Sequence, residues 1–219
     1  MRVLITGANQ GIGLQLCVAY QQKGYEVIAV CRNASTELQA LECEIIDSID
    51  VIQKDAIARL KQKVGARKID LLINNAGIYL SQSLDSLNYD AIRQQFEVNT
   101  LGPLRVVEAL LGNLEKASKI AMISSRMGSI EDNSSGGSYG YRMSKGALNV
   151  ASKSLAVDLK GRGIALAILH PGYVQTKMVN YNGDISAELS ASRLIERIEA
   201  LNLDNTGTFW HSNGAILPW

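Results

Sequence analysis

Hydrophobic residues occur along the chain in two alternating patterns. Short, mostly apolar runs, typical of buried β-strands, occupy residues 3–5, 26–31, 43–47, 69–74, 119–124, 164–170 and 208–211. Longer segments repeat apolar residues at helical spacing, and these predict helices at residues 11–22, 51–63, 89–111, 141–160 and 186–201. The alternation of strands with helices predicts an α/β protein.

The predicted strands also indicate how the sheet is built. Residues 120–123 and 164–169 are apolar throughout, as expected for strands covered on both faces. We therefore predict a Rossmann-type, doubly wound parallel sheet of about seven strands with helices on both faces. No segment resembles an interdomain linker, so residues 1–219 are expected to form one domain. Such sheets bind ligands at the carboxyl ends of their strands, where functional residues are expected.

Composition excludes several classes of function. Hydrophobic residues make up 47% of the chain and charged residues 20%, which is typical of a globular protein. The net charge of +1, without a long basic run, argues against nucleic-acid binding, and no apolar run is long enough for a membrane span. Cys17, Cys31 and Cys43 lack metal-ligand spacing, which favours reduced thiols in a cytoplasmic protein with no metal site. His170 and His211 stand alone and are assigned no catalytic role.

A glycine-rich turn follows the first predicted strand and leads into a helix. Its sequence is Thr6-Gly7-Ala8-Asn9-Gln10-Gly11-Ile12-Gly13. Glycines let the backbone turn tightly and let a pyrophosphate approach the positive end of the helix. Such a run can also be a simple tight turn, but the strand before it and the helix after it favour a dinucleotide site.

The ends of the next strands refine the cofactor prediction. Arg32 follows the second strand where an acid would accept hydrogen bonds from the ribose of NAD, and a guanidinium there suits the 2′-phosphate of NADP. The alternative is a solvated surface arginine. Asp47, followed by Ser48, ends the third strand and is either an acceptor for the adenine amino group or a helix cap. Residues 74–77, Asn-Asn-Ala-Gly, permit close backbone approach, although a simple turn would also explain them.

Tyr141 and Lys145 are four residues apart and would share one helix face. A free tyrosine has a pKa of about 10, and an adjacent ammonium favours the phenolate and lowers that value. Ser125 could hydrogen-bond the developing oxyanion of a carbonyl while Tyr141 gives it a proton. The alternative is a helix-start tyrosine with its hydroxyl in water. Tyr173 and Lys177 have the same spacing, but they follow a His-Pro-Gly turn without a preceding serine pair.

Taken together, these residues resemble the short-chain dehydrogenase/reductase family over essentially the whole chain. The resemblance is carried by the run from Thr6 to Gly13, Asn74 to Gly77, Asn99, Ser125, Tyr141 to Lys145, His170-Pro171-Gly172 and Thr176. The closing stretch and the segment between Ser125 and Tyr141 are similar to the carbonyl-reductase-like branch that contains the Sniffer and C-factor proteins.

The resemblance implies roles for further residues. Asn99 would join Ser125, Tyr141 and Lys145 in a catalytic tetrad and hold a water that relays protons towards Lys145. The resemblance also implies pairing through the helices at 89–111 and 141–160, hence a homodimer or homotetramer. The residues predicted to bind the cofactor are Gly7, Asn9, Gln10, Gly11, Ile12, Gly13, Arg32, Asp47, Ser48, Asn75, Ala76, Gly77, Tyr141, Lys145, Pro171, Gly172, Val174 and Thr176.

Some positions depart from the family pattern. Tyr141 follows Ser125 by sixteen residues, a longer separation than in many members, and the additional residues would lie beside the substrate entrance. Gln10 stands where NADP-preferring relatives often have a basic residue, which leaves Arg32 to carry that prediction. The covering segment 178–186 is short and indicates an open pocket. The residues expected to shape the substrate pocket are Tyr79, Met127, Tyr173, Met178 and the segment between Ser125 and Tyr141, and they fit many carbonyl compounds.

Two functions are therefore predicted. The first is a cytoplasmic NADP(H)-dependent carbonyl reductase acting on an aldehyde, ketone or quinone, with NAD(H) as the alternative cofactor. The second is a dinucleotide-binding regulatory or intercellular-signalling protein of the C-factor type, because a fold alone does not settle function. The complete tetrad favours the enzyme.

Overall fold

Seven parallel strands form one sheet in the computed structural model, which describes residues 1–219. The strands are β1 (Arg2–Thr6), β2 (Glu26–Val30), β3 (Glu44–Ile46), β4 (Leu71–Asn74), β5 (Lys119–Ile123), β6 (Ala165–His170) and β7 (Phe209–His211). Their order is β3-β2-β1-β4-β5-β6-β7, and all neighbouring pairs are parallel. The predicted doubly wound sheet is confirmed.

Helices cover both faces of this sheet. They are α1 (Gly11–Gln22), α2 (Thr36–Gln39), α3 (Lys54–Val64), α4 (Tyr89–Phe96), α5 (Gly102–Leu110), α6 (Tyr139–Lys160) and α7 (Ala187–Glu199). No helix combines the length and apolar character needed to cross a membrane.

Alternate residues of each strand enter two separate hydrophobic layers. Leu4 and Leu72 face α3, α5 and α6 within one buried cluster, whereas Val3 and Ile5 face α1 and α7 within the other. Both faces of the strands are therefore buried, which explains why their sequences are continuously apolar.

The strand order reverses between β1 and β4. From β1 the chain builds outward through β2 to β3, and from β4 it builds outward in the opposite direction to β7. The connections therefore leave a crevice above the carboxyl ends of β1 and β4, the usual ligand position in sheets of this type.

The prediction of one continuous helix at residues 89–111 is wrong, because the segment is interrupted. The backbone forms α4, then a π-helical turn at Glu97–Leu101, then α5. Pro103, near the start of α5, has no amide N–H to donate to the carbonyl of Asn99 four residues earlier. A proline at this position accounts for the interruption, and π turns often mark functional sites.

Candidate active site

A cleft opens in the crevice between β1 and β4. Its walls come from the turn after β1, the ends of β2 and β4, and the segment after β6. The predicted cofactor residues that line it are Gly7, Asn9, Gln10, Gly11, Ile12, Arg32, Asn75, Ala76, Gly77 and Thr176.

Other residues line the cleft that the sequence analysis did not assign to the cofactor. They are Thr6, Val30, Cys31, Asn33, Ile49, Asp50, Val51, Ile78, Val98, Gln175, Lys177, Met178 and Tyr181. Most flank a predicted residue at a strand end, so extending each strand-end motif by two or three residues would have found them. Val98, next to Asn99 in the π turn, has no comparable sequence pattern.

The glycine-rich turn after β1 is packed against the end of β4. Gly7 has a φ of 65°, and a Cβ there would lie 2.8 Å from the Cα of Ala76. The Asn75 side-chain amide donates to the carbonyl oxygens of Thr6 and Gly7, both at 3.1 Å. The Thr6 hydroxyl accepts in return from the backbone N–H groups of Asn75 and Ala76. The turn is therefore held in shape by protein contacts.

The first turn of α1 offers an anion site at the floor of the cleft. Gln10 precedes the helix without capping it through its side chain, and the first turn holds no acidic residue. The N–H groups of this turn are consequently available to a negatively charged group. A Cβ on Gly13 would overlap the carbonyl oxygen of Gly7, so only glycine allows this close packing.

Arg32 is exposed and lines the cleft just after β2. The arginines that form ion pairs are Arg2, Arg67, Arg93, Arg105, Arg126 and Arg197, so Arg32 is a cation without a protein counterion. The backbone N–H of Ser48 donates to its carbonyl at 3.0 Å, which joins the ends of β2 and β3.

Asp47 and Ser48 are exposed beside Arg32 but do not line the cleft. The helix-cap alternative for Asp47 is wrong, because α3 begins at Lys54 and the residue before it is Gln53. Ser48 adopts a left-handed backbone, with a φ of 56°.

Tyr141 and Lys145 lie one turn apart on α6. Lys145 Nζ is 5.8 Å from the centre of the Tyr141 ring and donates to the carbonyl oxygen of Ile123 at 2.8 Å. The Ser125 hydroxyl oxygen accepts from the N–H of Met127 at 3.2 Å, so its own proton is free to be donated. The structure therefore brings Ser125, Tyr141 and Lys145 together at the ends of β5 and α6.

The electrostatics of this group differ from the expectation. Burial of its hydroxyl raises the pKa of Tyr141 to about 12, although a hydrogen bond with Ser125 acts in the opposite direction. Burial also lowers the pKa of Lys145 to about 8. The predicted lowering of the Tyr141 pKa is therefore absent in this structure, since desolvation outweighs the hydrogen bond with Ser125.

Asn99 is fully buried in the π turn, and both polar atoms of its side chain form hydrogen bonds. Its Oδ1 accepts from Ile78 N–H at 2.8 Å, and its Nδ2 donates to the Ile78 carbonyl at 2.9 Å and to Ser144 Oγ at 3.0 Å. A Cβ on Gly77 would lie 3.2 Å from Asn99 Oδ1 and 3.8 Å from Lys145 Nζ. Gly77 therefore joins the cofactor cleft to the predicted tetrad.

Only the later part of the segment after β6, from Gln175 onward, lines the cleft. Thr176 lines the cleft, and its methyl group would be 3.2 Å from a Cβ on Gly11. Pro171, Gly172 and Val174 do not line it. The Pro171 carbonyl accepts from the hydroxyls of Ser190 and Ser212, and Val174 is buried. These contacts give Pro171 and Val174 a role in shaping the segment.

The two alternative sets of titratable residues lack the required geometry. Tyr173 is 49% exposed and lies in a turn, so its spacing to Lys177 does not place the pair on one helix face. His170 and His211 pack edge to face, and burial lowers the pKa of His170 to about 3. His170 is therefore neutral at physiological pH.

Comparison with known proteins adds the family. A family model described as short chain dehydrogenase matches residues 1–186. The chain is 35% identical over 223 aligned residues to 1-hydroxy-2-glutathionyl-2-methyl-3-butene dehydrogenase of Rhodococcus sp. (strain AD45), covering 99% of each protein. It is 40% identical over 154 residues to the C-signal protein of Myxococcus xanthus, covering 69% of this chain and 93% of that protein.

Solved structures agree over the whole chain. A carbonyl reductase from Pseudomonas aeruginosa in complex with NADP has a TM-score of 0.88 and 34% identity, with 100% of this chain and 99% of that chain covered. The carbonyl reductase Sniffer of D. melanogaster has a TM-score of 0.90 and 29% identity, with the same coverage. The chain belongs to the short-chain dehydrogenase/reductase family and is an oxidoreductase similar to its Sniffer and C-signal members.

Proposed function

We propose that the protein is an NADP(H)-dependent carbonyl reductase that acts on aldehydes, ketones or quinones. The observation that carries this proposal is the convergence of Ser125, Tyr141 and Lys145 next to Gly77, which lines the same cleft as Arg32. A cleft that combines an anion site on its floor and a cation on its wall with proton-transfer groups beside it suits the pyrophosphate, 2′-phosphate and nicotinamide of NADPH.

The residues present fit this cofactor. The floor of the cleft has backbone N–H groups without capping side chains, and Gly7 and Gly13 keep it clear of side-chain atoms. Arg32 supplies a permanent charge for a 2′-phosphate, and the NADP complex of the similar Pseudomonas enzyme supports this choice over NAD. When bound, NADPH would supply a hydride to the carbonyl carbon of the substrate.

The protein side chains would supply the proton. With its pKa at about 12, Tyr141 carries its proton at neutral pH and is therefore an acid for the carbonyl oxygen. Ser125 donates a hydrogen bond to the same oxygen as negative charge develops there. The ammonium of Lys145 stabilises the phenolate that remains on Tyr141. Tyr141 in its acid form is therefore suited to protonating the oxygen of a carbonyl substrate.

The test is NADPH consumption by the purified protein with a panel of quinones, aldehydes and ketones. A second assay supplies NADP+ with a glutathione-conjugated alcohol, which the name of the Rhodococcus relative suggests, and follows the formation of NADPH. Tyr141→Phe should abolish turnover and keep NADPH affinity. Tyr139→Phe, two residues earlier on the same helix, is the matched control and should remain active. Normal turnover in Tyr141→Phe would remove Tyr141 as the acid.

The similarity to C-signal favours one alternative, a regulatory protein that binds a dinucleotide without turning it over. Clear NADPH binding combined with no consumption across the panel would support this alternative and contradict the reductase. In either case we propose a cytoplasmic homo-oligomer whose residues 1–219 act as one domain. The exposed side chains of Met143, Val150 and Val157 along α6 support such pairing, which sedimentation would test.

A further inference from the structure

Tyr79 lies against the ring of Tyr141. The two rings are perpendicular, at 89°, with their centres 5.1 Å apart. This edge-to-face arrangement is a favoured geometry for aromatic pairs and restricts rotation of both rings. The hydroxyl of Tyr79 is 2.9 Å from the hydroxyl of Ser138, so its far end is also fixed.

Ser138 takes an unfavourable conformation at this position. It immediately precedes α6, where a serine normally has an extended backbone and accepts a hydrogen bond from the first turn. Its backbone is instead left-handed, with φ 48° and ψ 41°, and its hydroxyl makes no capping bond. Ser138 therefore neither caps the helix nor has a relaxed backbone, and its hydroxyl contacts Tyr79 instead. Strain of this kind is common at functional sites.

Backbone contacts hold the surrounding segments in register. The N–H of Ser138 donates to the Gln82 carbonyl at 2.8 Å, and the N–H of Gly140 donates to Gln82 Oε1 at 2.9 Å. Leu80 N–H donates to Oε1 of the buried Gln95. The segment that carries Tyr79 is therefore bound to the start of the helix that carries Tyr141.

We infer that Tyr79, held by Ser138, is a positioning residue that fixes the ring of Tyr141 so that its hydroxyl faces Ser125. The inference rests on the proposed function, in which Tyr141 is the proton donor. Ser138 also ends the segment between Ser125 and Tyr141, and the orientation of Tyr141 consequently depends on the conformation of that segment.

The test compares Tyr79→Leu, Tyr79→Phe and Ser138→Ala. Tyr79→Leu removes the ring contact and should lower kcat by roughly threefold to tenfold, the range that an edge-to-face pair is worth, with the Kd for NADPH unchanged. Tyr79→Phe and Ser138→Ala each remove the hydroxyl pair and should lower kcat less. Because they break the same contact, the double variant should be no worse than either single variant.

Two controls separate positioning from general destabilisation. Tyr25→Leu breaks a similar edge-to-face pair, with Tyr20 at 5.0 Å and away from the site, and should lose stability but not kcat. Ser138→Gly also loses the hydroxyl but tolerates the left-handed backbone. It should therefore show the same kcat as Ser138→Ala. Recovery of kcat in Ser138→Gly alone would overturn the role of the hydroxyl pair.

A second readout does not need activity. With ring-labelled tyrosine, the NMR signal of Tyr141, identified by its loss in Tyr141→Phe, should broaden or titrate differently in Tyr79→Leu and not in Tyr25→Leu. An unchanged Tyr141 signal together with unchanged kcat would overturn the inference. A changed signal in a protein that consumes no NADPH would preserve the positioning of Tyr141 by Tyr79 and defeat the reductase proposal.

Discussion

The ammonium of Lys145 donates a hydrogen bond to the backbone carbonyl of Ile123 at 2.8 Å, and this contact joins α6 to the last residue of β5. Ser125 follows Ile123 by two residues. This one hydrogen bond therefore holds the Lys145 ammonium close to the segment that carries Ser125. The side chain of Lys145 is 4% exposed, which makes its charge costly in the free protein. A buried charge of this kind serves chemistry at the expense of stability.

The stability of the protein should therefore change with pH through Lys145. Its pKa is about 8 in the folded state and about 10.4 when unfolded, so the unfolded state binds more protons between these values. Stability from this group is lowest below about pH 8 and rises as the pH increases towards about 10.4. In Lys145→Met this rise should be smaller, since burial also lowers the pKa of Lys119, and chemical denaturation at several pH values would measure the difference. Lys153→Met, an exposed lysine on α6, should keep the rise, and an equal pH dependence in all three proteins would contradict the assignment.

Replacement of Arg32 should change the choice of cofactor. Arg32→Ala removes charge-assisted hydrogen bonds to the 2′-phosphate, so the Kd for NADPH should rise by roughly tenfold to a hundredfold while that for NADH stays nearly constant. Calorimetric titration with both cofactors measures the difference. Arg93→Ala removes an exposed arginine paired only with Asp90 and should change neither Kd. Equal weakening of both cofactors in Arg32→Ala would argue against phosphate recognition.

The close packing at Gly13 predicts a sensitive position. A Cβ in Gly13→Ala would overlap the Gly7 carbonyl, and the glycine-rich turn would have to shift away from α1. We expect a loss of about 1–3 kcal/mol in the free energy of unfolding and a strong loss of NADPH binding. Gly112→Ala is the control, since a Cβ there meets no atom within 4 Å. Thermal unfolding with and without NADPH would show whether Gly13→Ala has lost the stabilisation that ligand provides.

Asn99 should affect both folding and catalysis. Asn99→Ala leaves the N–H and carbonyl of Ile78 without their partners, which costs roughly 1–3 kcal/mol for each buried group. Asn113→Ala is a matched control, because the Asn113 amide also donates to two backbone carbonyls, far from the tetrad. Both variants should be destabilised, and only Asn99→Ala should lose kcat at a temperature where both remain folded. Equal kcat in the two variants would make Asn99 purely structural.

Local patterns in the sequence were sufficient for the sheet and for most of the cleft. Buried strands have continuous apolar runs, and the residues that follow them are necessarily brought to one edge of a parallel sheet. The sequence alone therefore places Gly7, Arg32 and Gly77 in one cleft, although they are far apart along the chain.

Features set by contacts between distant residues were not predictable in this way. The helical spacing of apolar residues continues through the π turn at Glu97–Leu101, so that spacing does not reveal the interruption and Pro103 is its one local signal. Burial of Tyr141 and Lys145 depends on the whole packed site, and for this reason the direction of the Tyr141 pKa shift was predicted wrongly. The contact between Tyr79 and Ser138 spans 59 residues and depends on a backbone conformation that serine rarely adopts.

The reversal of strand order between β1 and β4 separates two groups of predicted functional residues along the chain. The glycine-rich turn and Arg32 precede β4, whereas Asn99, Ser125, Tyr141 and Lys145 all follow it. Under the proposed function, Arg32, the residue expected to select NADP, therefore lies in the first third of the chain, and the proton-transfer groups lie in the remainder. We therefore expect that exchanging the part before β4 with that of a relative would change the cofactor preference of the proposed reductase and leave the predicted tetrad in place.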